Sequence, residues 1–268
     1  MKLPTYFISH GGGPWPWMKA QMGGAYDRLE ASLRDMPGQI GAVVPKAVLM
    51  ISGHWEEREF TVMSTAQPPM IYDYSGFPEH TYRVRYPAAG SPQTAERVRA
   101  LIAAAGLAVR FDAERGFDHG TFAPLAVIYP NAEVPVLQLS LKHGYDPEEH
   151  IAVGRALAPL RDENVLIVGS GLSYHNLREF GPQAKSASKA FDDWLDETLV
   201  RVSPVERIAR LVAWETAPAA RKAHPREDHL LPLMVAVGAA GDDAGGRVYH
   251  EDDFMGGVVV SSFMFSAS

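Results

Sequence analysis

Short runs of apolar residues recur along the chain, and each run ends at a glycine or at a residue typical of turns. Runs of this length predict β-strands. They occupy residues 3–9, 47–53, 107–111, 134–140, 165–169 and 258–265. Several of them are continuous rather than alternating, which is typical of strands covered on both faces. The pattern therefore predicts an α/β fold with a central, mostly parallel or mixed sheet flanked by helices on both faces.

Helical segments with recognisable ends lie between these runs. Ser91, Pro92 and Gly106 predict a helix over residues 91–105, because serine caps helices, proline favours the first position and glycine terminates them. Asp146 and Pro147 predict the start of a second helix, which extends to about residue 161. Further helices are predicted over residues 186–201 and after residue 228. With neither an internal repeat nor a linker, residues 1–268 are interpreted as a single catalytic domain.

Two segments are predicted to lack regular structure. Residues 66–92 contain five prolines and four tyrosines, which predicts an ordered, mostly non-helical loop. If this loop covers a pocket, Tyr74 and Phe77 are expected to contact the part of a substrate that distinguishes it from similar molecules. The alternative is that the loop packs on the core or on a second subunit. Residues 238–246 are predicted to form a surface loop.

Composition and charge narrow the function. The 268 residues include no cysteine, so any metal site must use nitrogen and oxygen ligands. The net charge of −7 disfavours a nucleic-acid groove, which needs a basic face. Every apolar run is far shorter than the roughly 18 residues of a membrane span. We therefore expect a cytoplasmic protein that binds neither nucleic acid nor membranes.

Three histidines lie at or just after the ends of predicted strands. His10 follows the first run directly, His54 follows the second, and His175 comes a few residues after the run at 165–169. In open α/β sheets, ligands bind beyond the carboxyl ends of the strands. Each histidine alone is more often a polar loop residue or a hydrogen-bonded core residue. Their coincident placement indicates a common site.

Other catalytic motifs are incomplete. The His-Gly-Gly-Gly run at His10 lacks the Gly-x-Ser-x-Gly elbow of lipases, and Tyr174 replaces the third glycine of a dinucleotide fingerprint. His224 and His229 are five residues apart, about 140° around a helix, so they cannot share one ion as in a zinc protease. At most one of them joins the site. His229 is the better candidate, because it follows two acidic residues and precedes an apolar stretch.

A set of motifs in constant order resembles the class III extradiol ring-cleavage dioxygenases of the LigB superfamily, and more narrowly the bacterial 4,5-DOPA dioxygenase type. The motifs extend from about residue 7 to residue 263 and are the following: His10-Gly-Gly, Ser-Gly-His54-Trp-Glu, Tyr72-Asp-Tyr-Ser-Gly-Phe-Pro78, Tyr86-Pro-Ala, Phe117-Asp-His119-Gly, Gly169-Ser-Gly with His175-Asn, and Glu227-Asp-His229-Leu-Leu-Pro. The resemblance implies one α/β domain, one divalent non-haem metal per chain, and a catecholic substrate that reacts with O2. The metal is Fe(II) for activity, and Zn(II) is often bound instead.

The resemblance also implies roles for individual residues. His10, His54 and His229 correspond to the metal ligands, and His175 corresponds to an acid/base catalyst that is also a candidate fourth ligand. His119 corresponds to a catalytic histidine in the substrate pocket. Because His229 stands where many class III enzymes have a carboxylate, three acidic residues are reserve candidates for ligation: Glu56, Glu227 and Asp228.

The acid/base role needs a group that titrates near neutrality, which favours His175. Trp15, Tyr74 and Phe122 are candidate walls for the substrate ring, and a core role for each is an equal alternative. Two other functions are left open: a zinc hydrolase that uses the same histidines to activate water, and a non-catalytic protein that binds a metal or ligand. The expected partners are a small aromatic diol and O2, and a homo-oligomer is left open.

Overall fold

The computed structural model describes residues 2–41 and 43–267. Its strands, in chain order, are β1 (Thr5–Ser9), β2 (Ala47–Glu57), β3 (Phe60–Met63), β4 (Val109–Asp112), β5 (Val136–Lys142), β6 (Val165–Gly171), β7 (Ala244–Phe254) and β8 (Val258–Ser266). They form one eight-stranded sheet in the order β4-β3-β5-β2-β6-β1-β8-β7. The four central strands are parallel, and β8 pairs antiparallel with both β1 and β7. On the other side, β3 is antiparallel to β5.

The α-helices are α1 (Lys19–Met22), α2 (Asp27–Gln39), α3 (Pro92–Ala104), α4 (His119–Ile128), α5 (Pro147–Leu157), α6 (Lys185–Asp196), α7 (Pro204–Val212), α8 (Ala220–Ala223) and α9 (Leu231–Ala240). Short 3-10 turns extend some of them, and α6 continues into a π-helical turn at Glu197–Arg201. Within the described ranges, no helix has both the length and the apolar character needed to cross a membrane.

Helices cover both faces of the sheet, as the sequence predicts. Successive residues of a strand point to opposite faces. In β6, a Cβ added to Gly169 would meet the Pro232 carbonyl oxygen of α9 at 2.3 Å, whereas the next residue, Ser170, donates a hydrogen bond to the Gly120 carbonyl of α4. Helices α9 and α4 therefore pack on opposite faces of β6. The mixed α/β sheet of the prediction is confirmed.

The predicted strands occur near their expected positions, with two additions. The four residues of β3 were missed because the segment is short and no glycine bounds it. Strand β7 was missed because it lies at the sheet edge and contains charged residues. Asp146 caps α5 as predicted, accepting bonds from the amides of Glu148 and Glu149.

The predicted surface loop over residues 238–246 is wrong at both ends. Helix α9 continues to Ala240, and β7 begins at Ala244. The glycines allow close packing instead: a Cβ on Gly238 would meet the Ile151 carbonyl oxygen at 2.2 Å, and one on Gly245 would meet the Leu199 carbonyl oxygen at 2.1 Å. Glycine at a tight contact between backbones has the same sequence signature as glycine in a loop.

Candidate metal centre

The three histidines predicted at strand ends lie at one edge of the sheet. His10 follows β1, and its backbone N–H donates to the Gly171 carbonyl at 3.1 Å, which continues the pairing of β1 with β6. His54 lies within β2, where the pairing with β5 is irregular between residues 51 and 56. His175 follows β6, and its N–H donates to the Ala223 carbonyl at 2.9 Å. Neighbouring parallel strands thus bring these residues to the same crevice.

Two further histidines reach this crevice from helix N-termini. His229 precedes α9. A Cβ on Gly171 would lie only 2.1 Å from the His229 carbonyl oxygen, so glycine is required at position 171 for this close approach. His119 is the first residue of α4, whose N-cap Asp118 accepts a bond from the Thr121 amide. The structure therefore brings together all five histidines of the predicted site.

The imidazole rings of these histidines are in contact. The ring centroid of His10 lies 5.0 Å from that of His54 and 5.2 Å from that of His229, and the centroids of His54 and His229 are 4.6 Å apart. His119 is closer to His54, at 3.9 Å. His175 stacks on His229 at 3.4 Å with an interplanar angle of 11°.

Several ring nitrogens in this cluster have no hydrogen-bond partner among the residues that the structure describes. His10 is only 2% exposed, and neither of its ring nitrogens is bonded within the described part of the chain. The Nε2 atoms of His54 and His229 face each other at 3.1 Å. Two neutral imidazoles facing in this way need a shared proton or a shared cation. Buried nitrogens without partners are costly, so these residues fit a bound metal ion.

The distances between ring centroids show which of these histidines can bind the same metal ion. With nitrogen about 2.1 Å from the ion, the ring centroid is about 3.2 Å away, so two ligands at angles of about 90° to 109° have centroids about 4.5–5.2 Å apart. All three pairs among His10, His54 and His229 fall in this range. The His54–His119 and His175–His229 pairs are too close to share an ion in this arrangement.

Two groups of residues have candidate ligand atoms within 4.8 Å of one another. One group is His10, His54 and His119, and the other is His175, Asp228 and His229. Of the three reserve carboxylates, only Asp228 lines the same cavity as the five histidine side chains. Glu56 pairs with Arg226, and Glu227 pairs with Arg221. Burial raises the pKa of Asp228 to about 6, although the nearby Arg226 acts to lower it.

The electrostatics favour neutral imidazoles. Burial lowers the pKa of His10, His54 and His229 well below the ordinary histidine value, and neighbouring histidines lower it further. Only neutral imidazole coordinates a metal, so these residues are in the protonation state that ligation needs. Burial, and then electrostatic interaction with the neighbouring His119, lower the pKa of His175 to about 4, instead of the near-neutral value expected from its role. His175 is therefore an uncharged proton acceptor at neutral pH.

Asp73 links two of the histidines, a role that the sequence reasoning missed. Its Oδ1 accepts from the His119 backbone amide at 3.0 Å and from His119 Nδ1 at 2.9 Å, while Oδ2 lies 3.3 Å from His54 Nδ1. Burial acts to raise the pKa of Asp73, but the bonds from His119 outweigh it and hold this pKa below its ordinary value. The carboxylate therefore holds Nδ1 of His119 in the protonated form, which leaves Nε2 as the acceptor.

A second buried carboxylate, Asp118, joins three elements behind the site. Its Oδ1 accepts from Ser52 Oγ at 2.7 Å, and its Oδ2 accepts from Arg115 at 2.6 Å and Gln138 at 2.8 Å. Ser52 Oγ in turn accepts from the His54 amide at 3.2 Å. The network ties β2, α4 and β5 together. The sequence showed Asp118 beside His119 but not that its partners lie on two distant strands.

A cavity of about 620 Å³ contains the five histidine side chains. Tyr74 and Phe77 line it, so the loop at 66–92 covers the site. Trp15 and Phe122 are fully buried outside its lining and have a core role: Trp15 Nε1 donates to the His10 carbonyl at 2.8 Å, and Phe122 packs on Trp17. His224 is also outside the cavity, with Nε2 donating to the Ser173 carbonyl at 3.0 Å.

Comparison with known proteins defines the class of enzyme. A family described as "Catalytic LigB subunit of aromatic ring-opening dioxygenase" matches residues 4–265. The chain belongs to this LigB family and is an extradiol aromatic ring-opening dioxygenase, which agrees with the resemblance carried by its motifs.

Relatives with assigned names agree with this class. The chain is 38% identical to a 4,5-DOPA dioxygenase extradiol of Beta vulgaris, over 98% of this chain and 97% of the relative. It is 36% identical to a protein of the same name from Escherichia coli K12, over 89% and 85%. A solved structure, an uncharacterized protein JW3007 from Escherichia coli K12, superposes with a TM-score of 0.77 at 27% identity and covers 98% of this chain and 100% of that one.

Proposed function

We propose that this protein opens the ring of a catecholic substrate with O2, and that His10, His54 and His229 hold one divalent metal ion. The observation that carries the proposal is the buried His10, whose two ring nitrogens lack partners among residues 2–41 and 43–267 while its ring is correctly spaced from those of His54 and His229. The LigB family supports the reaction class. We propose Fe(II) as the active ion and Zn(II) as an alternative occupant, because both accept imidazole ligands.

Bound Fe(II) would supply the redox chemistry through which a catechol and O2 react, and both oxygen atoms enter the ring-opened product. The remaining tasks fall to side chains. Neutral His175 is proposed to accept the proton of a catechol hydroxyl and to return it later, because its lowered pKa leaves a ring nitrogen free to accept. His119 is proposed to accept a hydrogen bond from the substrate at Nε2, because its Nδ1–H donates a hydrogen bond to Asp73.

The decisive experiment is anaerobic reconstitution of the purified protein with Fe(II), followed by measurement of O2 uptake with unsubstituted catechol. We expect one O2 consumed per catechol with iron and none with zinc. A hydrolase would be active with zinc. A metal-binding protein without catalytic activity would bind iron and consume no O2 with any catechol, which would overturn the proposal.

We propose in addition that residues 1–268 act as one catalytic domain in the cytoplasm. The sheet that positions the histidines includes both β1 and β8, near the two ends of the chain. Truncation before β8 is therefore expected to abolish metal binding together with folding, and cell fractionation tests the location.

A further inference from the structure

Two exposed apolar side chains stand at the cavity that contains the histidines. In the part of the chain that the structure describes, the large apolar residues with strong exposure are Val44, Leu177, Val205 and Met255. Leu177 is 71% exposed and Met255 is 40% exposed, and both line this cavity. Single exposed apolar residues are ordinary on a protein surface, but two at the same opening form an apolar rim.

The position of Met255 is unfavourable for a methionine in two respects. It lies in the turn between β7 and β8 with φ of 50°, a left-handed conformation that bulky residues rarely adopt. Gly256 and Gly257 follow it, also with positive φ. The turn therefore holds a flexible apolar side chain beside the cavity, 40% exposed to water, in a backbone conformation that does not favour methionine.

Aromatic rings continue from this rim into the cavity. On one side, Tyr74 contacts the His119 ring at 5.9 Å and the Phe77 ring at 5.4 Å. On the other side, Phe254 contacts Phe180 at 6.2 Å and Tyr26 at 5.5 Å. At about 620 Å³ the cavity is in the range of sites that enclose drug-sized ligands, which are larger than a single diol ring.

The charges in this cavity are unfavourable for an anionic substituent. Its lining includes the carboxylates Asp73 and Asp228, and no lysine or arginine among the residues described. An adjoining groove shares His175, Leu177 and Asp228 with the cavity and is also lined by Arg178 and Arg226. Arg226 is paired with Glu56, which leaves Arg178, the residue after Leu177, as the cation to test at this rim. The metal ion proposed at the histidines would be engaged by the two catechol oxygens, so a carboxylate on a buried ring substituent would lack a cationic partner among these lining residues and would be destabilised.

We propose that the cavity selects catechols with a bulky apolar ring substituent over catechols whose substituent ends in a carboxylate, with Leu177 and Met255 as specificity-determining residues. This inference rests on the proposed function and concerns the substrate class at the same site. The proposed selectivity would distinguish this chain from relatives named 4,5-DOPA dioxygenase, because the side chain of DOPA has a carboxylate.

The test uses two ligands of similar shape, 4-(3-methylbutyl)catechol and 3-(3,4-dihydroxyphenyl)propanoate. Calorimetry with zinc-loaded protein measures both dissociation constants without turnover, and O2 uptake with the iron-loaded protein gives both kcat/KM values. We expect the apolar ligand to be favoured about tenfold or more in both measurements. Equal affinity, or preference for the carboxylate, would overturn the inference.

Variants at the rim identify the residues responsible. Leu177→Ser and Met255→Ser should each lower the preference for the apolar ligand about threefold to tenfold. Met255→Arg should raise the relative affinity for the carboxylate, because it adds a cation at the opening. Both positions are exposed, so folding should be unaffected, and Val205→Ser is the matched control at an exposed apolar residue outside the cavity.

Two results would contradict these assignments. If Arg178→Ala selectively weakens the carboxylate ligand in the wild-type background, the substituent reaches that cation and the charge argument is wrong. If the serine variants change only the oligomeric state in light scattering, the rim is a protein interface and the inference is wrong. Turnover of unsubstituted catechol is measured in parallel, so failure of the proposed function is seen separately from failure of the selectivity.

Discussion

His10 and His150 are both buried histidines, and the difference between them distinguishes a functional from a structural imidazole. Their exposures are 2% and 0%, and burial lowers the pKa of both. His150 Nδ1 donates to the Asp146 carbonyl at 2.7 Å, and its Nε2 accepts from the Lys142 amide at 3.2 Å. His10 has a partner at neither ring nitrogen within the described residues.

The comparison shows that burial alone does not mark a site. A buried imidazole with both nitrogens hydrogen-bonded to the backbone has all of its partners within the chain and stabilises the fold. One with two unbonded nitrogens needs a group from outside the chain. The ring of His10 also lies within 5.3 Å of three other histidine rings, whereas His150 packs against Phe60.

The largest effect is expected for His10→Ala. Removal of this ligand should reduce metal content after dialysis to near zero and abolish O2 uptake, because two imidazoles do not retain the ion. Elemental analysis of the dialysed protein measures the metal. His150→Gln is the control and should retain about one ion per chain. Wild-type metal content in His10→Ala would show that the unbonded nitrogens serve another purpose.

A smaller effect is expected for His175→Ala. If His175 transfers protons without holding the ion, metal content should persist while kcat falls about 10²–10⁴-fold. Steady-state O2 uptake and elemental analysis are measured on the same sample, with the exposed His143→Ala as control. Metal loss as severe as in His10→Ala would make His175 a ligand instead.

His150 should make the free energy of unfolding decrease as the pH falls. Its pKa is about 4 in the folded protein and about 6.5 when unfolded, so below pH 6.5 the unfolded chain binds a proton that the folded chain refuses. Stability is full above pH 6.5, and about 3 kcal/mol is lost as pH falls to 4.

Urea unfolding at several pH values, compared between wild type and His150→Gln, isolates this contribution because the other histidines are common to both. The variant should lose less stability on acidification. Parallel pH profiles of the two proteins would contradict the assignment.

The smallest effect is expected for Asp73→Asn. The amide has nearly the same shape but lacks the charge that orients His54 and His119, so metal affinity should fall about 10–100-fold. Competition with a chelator measures the affinity, and thermal unfolding checks the fold. Asp112→Asn is the control, since Asp112 caps a turn at the Glu114 and Arg115 amides. Equal affinity losses in both variants would indicate a general structural effect.

Much of the architecture was predictable because apolar runs and helix caps are local signals. Six strands, the cap at Asp146 and the position of His10 directly after β1 follow from sequence neighbours, whereas β2 continues past its predicted end at residue 53 and contains His54. Strand β7 and the contacts at Gly238 were not predictable, because they depend on which distant backbone lies opposite. Helix α4 is almost entirely buried and apolar, so it lacks the one-sided periodicity by which surface helices are recognised.

Apolar runs, turn residues and ordered motifs were enough to predict six strands, the exclusion of thiolate chemistry and the LigB family. The sequence also named all five histidines. Three relations came from the folded chain instead: which rings are spaced to share an ion, the bridge that Asp73 makes between His54 and His119, and the placement of Leu177 and Met255 at one cavity opening. Those relations join residues far apart along the chain, and the packing of helices on both faces of one sheet sets their distances.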